Sequence, residues 1–230
     1  MSAPGHHFTD SDSLAGGLAG AVAAAISGGL AARGVASLAV SGGKTPLLFF
    51  DALSRQQLDW EKVFITLVDE RWVPSGDARS NTDLVYGHLL QNAASTATFV
   101  PMVNDAATPE AGLASVTASI STLPLPFDAV ILGMGDDGHT ASWFPHGDHL
   151  AAALEMSGKA PLLPMRAPGA PEPRITFTAP VLLSAKNLFL HFEGANKRAV
   201  YDKAMGEGKI VDMPIRAALR RTDVQVYWCG

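Results

Sequence analysis

The feature that most constrains the fold is a unit that recurs along the chain: a short apolar run, a loop rich in Gly, Pro and Asp, and a helical pattern. The apolar runs cover 35–40, 63–68, 127–132, 187–192 and 224–228. Helical patterns cover 14–32, 47–58, 81–90, 110–123, 196–205 and 214–220. Near-continuous apolar strands alternating with helices are typical of a parallel sheet covered on both faces. We therefore expect an α/β fold, a mainly parallel sheet flanked by helices, in a single domain spanning residues 1–230.

Two segments fall outside this alternation. Residues 161–173 contain five prolines and are interpreted as a surface excursion rather than a domain linker. His6 and His7 are expected to lie in a mobile tail, since chain termini are poorly ordered unless they are tied down.

Charge and cysteine content limit the partners and the compartment. Seventeen Lys and Arg against 22 Asp and Glu give a net charge of −5. With no basic block, nucleic acid is not expected as a partner, although a small anion remains possible. Cys229 is the single cysteine, so neither an internal disulfide nor a thiolate zinc site is expected, and a cytoplasmic location is predicted. The uncharged run 14–32 is broken by glycine pairs, which favours a buried helix over a membrane span, and no signal peptide is expected.

Ligands of open α/β sheets bind beyond the carboxyl ends of the strands. Four polar segments follow predicted strands, at 41–45, 69–71, 133–139 and 193–197. Their convergence on one sheet edge predicts a functional site there.

The first segment is Ser41-Gly42-Gly43-Lys44-Thr45-Pro46. Glycines allow backbone N–H groups to approach an anion, and a helix N-terminus adds a favourable dipole. A phosphate would suit this loop, although it is not a complete Walker A loop. The alternative is an ordinary tight turn between a strand and a helix.

The segment Gly133-Met134-Gly135-Asp136-Asp137-Gly138 satisfies G-x-G-x-x-G after a strand. Two adjacent carboxylates would repel a pyrophosphate, so a dinucleotide site is disfavoured. The next residue, His139, is a side chain suited to proton transfer near neutral pH, and a neighbouring carboxylate can fix its tautomer. A structural loop histidine is the alternative, but the position of His139 opposite a phosphate-type loop favours catalysis.

Charged residues follow two other strands. Arg71, in Asp69-Glu70-Arg71, could bind phosphate or carboxylate in fork geometry, and Asp69 could orient a partner. Lys197 could supply a second anion contact. A solvated salt-bridge cluster is the alternative for such residues.

Taken together and in order, these loops resemble the 6-phosphogluconolactonases. The resemblance is carried by the segments 41–46, Asp69-Glu70-Arg71-Trp72-Val73-Pro74 with Ser80-Asn81, 133–142 and Asn196-Lys197. It implies a fold similar to the glucosamine-6-phosphate deaminases and ribose-5-phosphate isomerases. It also implies hydrolysis of 6-phospho-D-glucono-1,5-lactone to 6-phosphogluconate, in the oxidative pentose phosphate pathway, with no metal or organic cofactor.

Carried onto this chain, the resemblance makes His139 the catalytic histidine. Asp137 is expected to orient it, and Arg71 is the candidate oxyanion stabiliser. The expected substrate-binding residues are Ser41, Gly42, Gly43, Lys44, Thr45, Asp69, Arg174 and Lys197. The expected partner is a small phosphosugar lactone, with neither nucleic acid nor membrane, and the chain is expected to be a monomer or a homodimer.

Two alternatives remain on the same scaffold. A glucosamine-6-phosphate deaminase or isomerase would resemble this chain in its Asp-Gly-His loop, but those enzymes usually carry glutamate where Phe144 stands, five residues after His139. A non-catalytic sugar-phosphate sensor is the second alternative, and His139 disfavours it.

Overall fold

The computed structural model describes residues 5–230, and its centre is a seven-stranded sheet in which every neighbouring pair of strands is parallel. The ten strands are β1 (Gly5–Phe8), β2 (Ala36–Val40), β3 (Val63–Leu67), β4 (Asp69–Arg71), β5 (Thr98–Phe99), β6 (Ala129–Leu132), β7 (Leu162–Ala167), β8 (Ala170–Phe177), β9 (Leu188–Glu193) and β10 (Gln225–Cys229). Within residues 5–230 the eight α-helices are α1 (Ser11–Arg33), α2 (Leu47–Ser54), α3 (Asn81–His88), α4 (Pro109–Ile120), α5 (Leu150–Leu154), α6 (Ala179–Leu182), α7 (Ala195–Met205) and α8 (Arg216–Leu219).

The order of the large sheet is β1-β10-β9-β6-β2-β3-β5. Strands β2, β6 and β9 are adjacent in this order, so the loops that leave their carboxyl ends meet at one edge. All residues of β2 and β6 are buried, as expected for strands covered by helices on both faces. The predicted α/β class, a mainly parallel sheet flanked by helices, is confirmed.

Helix α1 covers part of the sheet. Asp10 caps it by accepting a hydrogen bond from the Ser13 N–H at 2.8 Å, and Gly34 ends it with a φ of 74°. By length and composition α1 could cross a membrane, but in this fold one of its faces, including Leu14, Leu18 and Ile26, is buried and the helix packs against α2 and β2.

Residues 161–173 are not a surface excursion, contrary to the sequence interpretation. They form most of the β7–β8 hairpin, which pairs with β4 in a second, three-stranded antiparallel sheet. Leu162, Pro164 and Met165 are buried, so the first strand of the hairpin contributes to the core, while Pro168 and Gly169 at its tip are exposed.

The prediction of a mobile tail at His6 and His7 is also wrong. Both residues lie in β1, which pairs with the last strand, β10. The His6 ring stacks on Tyr227 and the His7 ring on Trp228, with centroids 4.4 and 4.1 Å apart. Backbone pairing and ring stacking hold this end of the chain in place.

Candidate active site

A cavity of about 340 Å³ opens at the carboxyl ends of β2, β6 and β9. The second sheet closes one side of it through β4 and β8. Every residue predicted for the site lines this cavity except Asp137, which contacts the lining residue His139 instead. The structure therefore brings together Arg174 and the four polar segments, which are far apart in the sequence.

The Ser41 loop, residues 41–46, joins β2 to α2 at the cavity. The Ser41 hydroxyl donates to the Ile131 carbonyl at 3.0 Å and accepts from the Gly133 N–H at 2.9 Å. These two bonds fasten the loop to the end of β6. Gly43 has a φ of 91°, a conformation that favours glycine.

Asn81, the first residue of α3, packs directly against the Ser41 loop. A methyl group on Gly42 would lie 1.9 Å from the Asn81 Oδ1 atom, so no larger residue fits there without moving Asn81. The Asn81 amide nitrogen donates to the Asp69 carbonyl at 3.4 Å. Asn81 is a lining residue that was not predicted for the site, because its role depends on contacts from two other segments.

His139 and Asp137 form a hydrogen-bonded pair on the loop that follows β6. The Nδ1 atom of His139 lies 2.6 Å from Asp137 Oδ1, which also accepts from the His139 backbone N–H at 3.0 Å. If the carboxylate accepts Nδ1–H, the neutral ring keeps its lone pair on Nε2. Partial burial acts to raise the pKa of Asp137, but the hydrogen bonds and charge of His139 outweigh it and the pKa is lowered. Asp137 therefore stays ionised at neutral pH.

The glycines before His139 shape this loop rather than a nucleotide cradle. Within residues 133–149 no helix follows the glycine pattern, since the next one, α5, begins at Leu150. The N–H of Gly135 instead donates to the His139 carbonyl at 2.9 Å. This geometry agrees with the expectation that the segment is not a dinucleotide site.

Arg71 and Arg174 lie side by side on neighbouring strands of the second sheet. They are register partners in the antiparallel pair of β4 and β8, which places two guanidinium groups at the cavity. Burial lowers the pKa of Arg174, and the charge of Arg71 lowers it further, against the attraction of Asp69. The Arg174 guanidinium lies 5.6 Å from the centroid of the Phe144 ring. Two adjacent arginines of this kind favour an anion between them.

Glu70, between the two predicted residues of β4, is fully buried and was not predicted for the site. Its carboxylate accepts from the backbone N–H groups of Arg71, Asn81 and Thr82 at 2.7–3.0 Å. Burial raises the pKa of Glu70, although these hydrogen bonds oppose it. The carboxylate thus ties β4 to the N-terminus of α3. The sequence signal that could have identified Glu70 is strand periodicity, because the middle residue of a three-residue strand faces opposite to its two neighbours.

Asp69 and Ser142 form a buried contact beside the cavity. The Ser142 hydroxyl donates to Asp69 Oδ2 at 2.5 Å, and neither side chain is more than slightly exposed. A serine engaged in this way is poorly placed to act as a nucleophile. One oxygen of Asp69 is occupied, which leaves its other oxygen for orienting a ligand.

Two lysines complete the positive lining of the cavity. Lys197, on the first turn of α7, lies 2.6 Å from the exposed carboxylate of Asp136. Lys44 is exposed on the Ser41 loop. Both ammonium groups come from positions that the sequence predicted.

Unused hydrogen-bonding capacity is concentrated at this cavity. Among residues 5–230, five buried side-chain nitrogen or oxygen atoms have no hydrogen-bond partner, and four of them belong to lining residues. Those four are Arg71 Nε, Asn81 Oδ1, Arg174 Nε and His191 Nε2. Buried polar groups are normally paired, so this concentration is typical of a site built for a polar ligand.

The fold and this cavity define a class of α/β enzymes. In this class the ends of parallel strands form a cavity for a small anionic substrate, and a histidine–carboxylate pair lies at that cavity. The chain belongs to the family described as glucosamine-6-phosphate isomerases/6-phosphogluconolactonase, which it matches over residues 9–228. It is 49% identical to a 6-phosphogluconolactonase of Rhizobium meliloti, over 99% of both chains. It is 47% identical to one of Mesorhizobium japonicum, over 96% of this chain and 93% of that protein.

A solved structure extends this similarity to three dimensions. The crystal structure of a 6-phosphogluconolactonase from Shewanella baltica superposes with a TM-score of 0.96 and 42% identity, covering 99% of this chain and 98% of that one. The fold is therefore that of this enzyme family.

Proposed function

We infer that this protein is a 6-phosphogluconolactonase, which hydrolyses 6-phospho-D-glucono-1,5-lactone to 6-phosphogluconate. The observation that carries the proposal is the arrangement of the cavity, where a His139–Asp137 pair lies with the Ser41 loop and the Arg71–Arg174 pair. A base, an anion-binding loop and a second cationic group are what hydrolysis of a phosphorylated lactone requires. The relatives above, named for this activity, support the same substrate.

The phosphate is assigned to the Ser41 loop. Among the described residues, the backbone N–H groups of Gly43, Lys44 and Thr45 make no hydrogen bond within the protein, so they are free to donate to phosphate oxygens. Fixing the phosphate at one end of the cavity would position the lactone carbonyl at the other, which converts binding energy into orientation. Lys197 adds a positive charge to this binding surface.

His139 is assigned as the general base. Its neutral Nε2 takes a proton from a water molecule while the water oxygen attacks the lactone carbonyl carbon. The tetrahedral oxyanion then collapses, the bond from that carbon to the ring oxygen breaks, and the imidazolium returns the proton to the ring oxygen. The product is the open-chain acid, which ionises. General base catalysis of this kind is worth roughly 100- to 10,000-fold.

Arg71 and Arg174 are assigned to the carbonyl end. Phe144 links Arg174 to the base, because its ring packs against His139 with centroids 4.4 Å apart and lies under the Arg174 guanidinium. A guanidinium there would stabilise the developing oxyanion. Asp69 would hold this end of the substrate through its free carboxylate oxygen.

Phe144 also argues against a deaminase. It is buried and supplies no acid or base at the position where the deaminases usually carry glutamate. We further propose that the enzyme acts in the cytoplasm, where its single, buried cysteine, Cys229, would stay reduced.

A paired assay tests the function. Freshly generated 6-phosphogluconolactone is offered in a dehydrogenase-coupled assay with the spontaneous rate subtracted, and ammonia release from glucosamine 6-phosphate is measured beside it. The proposal predicts enzyme-dependent lactone loss and no ammonia. Ammonia release without lactonase activity would establish the deaminase instead, and tight binding of 6-phosphogluconate without turnover would establish a sensor.

A further inference from the structure

His191 is a buried polar residue for which the mechanism above has no use. It lies on β9 among Leu188, Phe189, Leu190 and Phe192, which are all apolar and at most 1% exposed. The histidine itself is 4% exposed. In a central parallel strand an apolar side chain would be the expected occupant, so the imidazole needs an explanation.

The position of His191 relates it to the substrate cavity. It is one of the lining residues, and the register of β6 and β9, in which Leu132 pairs with Leu190, places it beside Gly133. Gly133 is in turn bonded to the Ser41 hydroxyl. The His191 ring also meets the edge of Phe49, on the helix that the Ser41 loop enters, with centroids 6.1 Å apart. His191 is therefore next to the loop that is assigned to the phosphate.

A carboxylate holds one side of the imidazole. The His191 Nε2 atom lies 3.3 Å from Glu193 Oε1, although the contact does not reach hydrogen-bond geometry. Glu193 is itself fixed by the Ser11 hydroxyl, which donates to its other oxygen at 2.5 Å. The approach of His191 lowers the pKa of Glu193, against partial burial and with help from Ser11. In this second histidine–carboxylate pair, as in His139 and Asp137, the histidine lines the cavity and the carboxylate does not.

We propose that His191 is a phosphate-binding residue of this site. With substrate bound, its ring is an imidazolium that donates Nδ1–H to the substrate's phosphate and directs Nε2–H toward Glu193, the residue that positions the ring. The proposal rests on the proposed function for the identity of the substrate. It also explains why a polar side chain is kept in an apolar strand: Nε2 faces Glu193, and the partner of Nδ1 is supplied by the ligand.

The test separates a ligand contact from a structural role by measuring binding and stability in the same variant. In His191→Leu an apolar leucine side chain replaces a buried imidazole that has no hydrogen-bond partner within the protein. We expect the affinity for inorganic phosphate and for 6-phosphogluconate, measured by calorimetry, to fall roughly 10- to 100-fold, as for the loss of a hydrogen bond to a charged group. The thermal midpoint should stay equal or rise. A fall in the midpoint with unchanged phosphate affinity would overturn the proposal.

A matched control is available in His88, which lies 3.3 Å from the Asp51 carboxylate but outside the cavity. His88→Leu should leave phosphate affinity unchanged. In Glu193→Gln a smaller loss of phosphate affinity is expected. The ¹⁵N resonances of the His191 ring should shift with phosphate in the wild type and shift less in this variant. Identical ring shifts in both proteins would refute the role of Glu193.

Steady-state kinetics test whether the loss of phosphate affinity in His191→Leu also weakens substrate binding during turnover. His191→Leu should raise the KM for the phosphorylated lactone and change kcat little, while the slow hydrolysis of unphosphorylated glucono-1,5-lactone should be unaffected. Because phosphate binding is measured without any lactone, it remains informative even if the wild type proves to have no lactonase activity. In that case the proposed function fails, and His191 is judged on phosphate affinity alone.

Discussion

The Cα atom of Gly135 lies against the imidazole of His139, so closely that a methyl group on Gly135 would be 2.1 Å from the ring atoms Nδ1 and Cε1. The position of the His139 ring, the proposed general base, therefore requires a glycine four residues before it. This explains the second glycine of the segment 133–138 without any nucleotide.

Gly135→Ala should displace the His139 ring and lower kcat roughly 100-fold, because small misplacements of a reacting group have effects of that size. The control is Gly16→Ala, on α1, where a methyl group meets nothing within 4 Å. That variant should keep wild-type turnover. A wild-type kcat in Gly135→Ala would show that the ring tolerates the shift.

The ionisation of Asp137 provides a test of its contact with His139. The pKa of Asp137 is below its ordinary value of 3.8. A carboxylate with a lowered pKa favours the folded state above pH 3.8, and this contribution is lost as the pH falls through the lowered value. In His139→Ala the ring's hydrogen bond and charge are gone while partial burial remains, so the pKa should rise. Carbon-13 NMR of the carboxyl group measures this directly, and an unmoved pKa would exclude the contact.

Lys197 should contribute to substrate binding rather than to chemistry. Lys197→Gln is expected to raise the KM for the phosphorylated lactone about tenfold, the value of one charged hydrogen bond, with kcat nearly unchanged. Lys203, two turns further along α7, is exposed and does not line the cavity, so Lys203→Gln is the matched control. Equal KM values for the two variants would remove Lys197 from the site.

Glu70 should stabilise the fold and hold two cavity segments together. Glu70→Ala leaves three backbone N–H groups without their acceptor, those of Arg71, Asn81 and Thr82. The free energy of unfolding should fall by about 3 kcal/mol, measured by urea denaturation. Glu61, an exposed glutamate, provides the control, since Glu61→Ala should change stability by no more than about 0.5 kcal/mol. Similar losses of unfolding free energy in Glu70→Ala and Glu61→Ala would contradict the stabilising role of the buried Glu70 carboxylate.

Five of the seven strands of the main sheet and the loops of the site were predictable because they follow from local patterns. Apolar runs identify buried parallel strands, and the position of ligands at their carboxyl ends is a general rule of such sheets. His139, Arg71 and Lys197 stand directly after strands or at the start of a helix. That these side chains meet at one cavity could be predicted without knowing which distant segments pack together.

The second sheet and the buried polar residues depend on tertiary contacts. Strand β4 has only three residues, and the prolines of the β7–β8 hairpin are typical of loops. Strand β1 is stabilised by its pairing with β10, at the opposite end of the chain. Glu70 and Asn81 acquire their roles from each other and from Gly42. Strand periodicity predicts that Glu70 faces opposite to its neighbours, but it does not indicate which distant groups the carboxylate contacts.

The central claim is that His139 performs the proton transfer in lactone hydrolysis, and turnover in His139→Asn tests it most directly. The control is His149→Asn, because His149 also lies beside a carboxylate, 3.2 Å from Asp148, but does not line the cavity. With spontaneous hydrolysis of 6-phosphogluconolactone subtracted, kcat should fall roughly 100- to 10,000-fold in His139→Asn and remain at the wild-type value in His149→Asn. A His139→Asn enzyme with near-wild-type kcat would contradict the account.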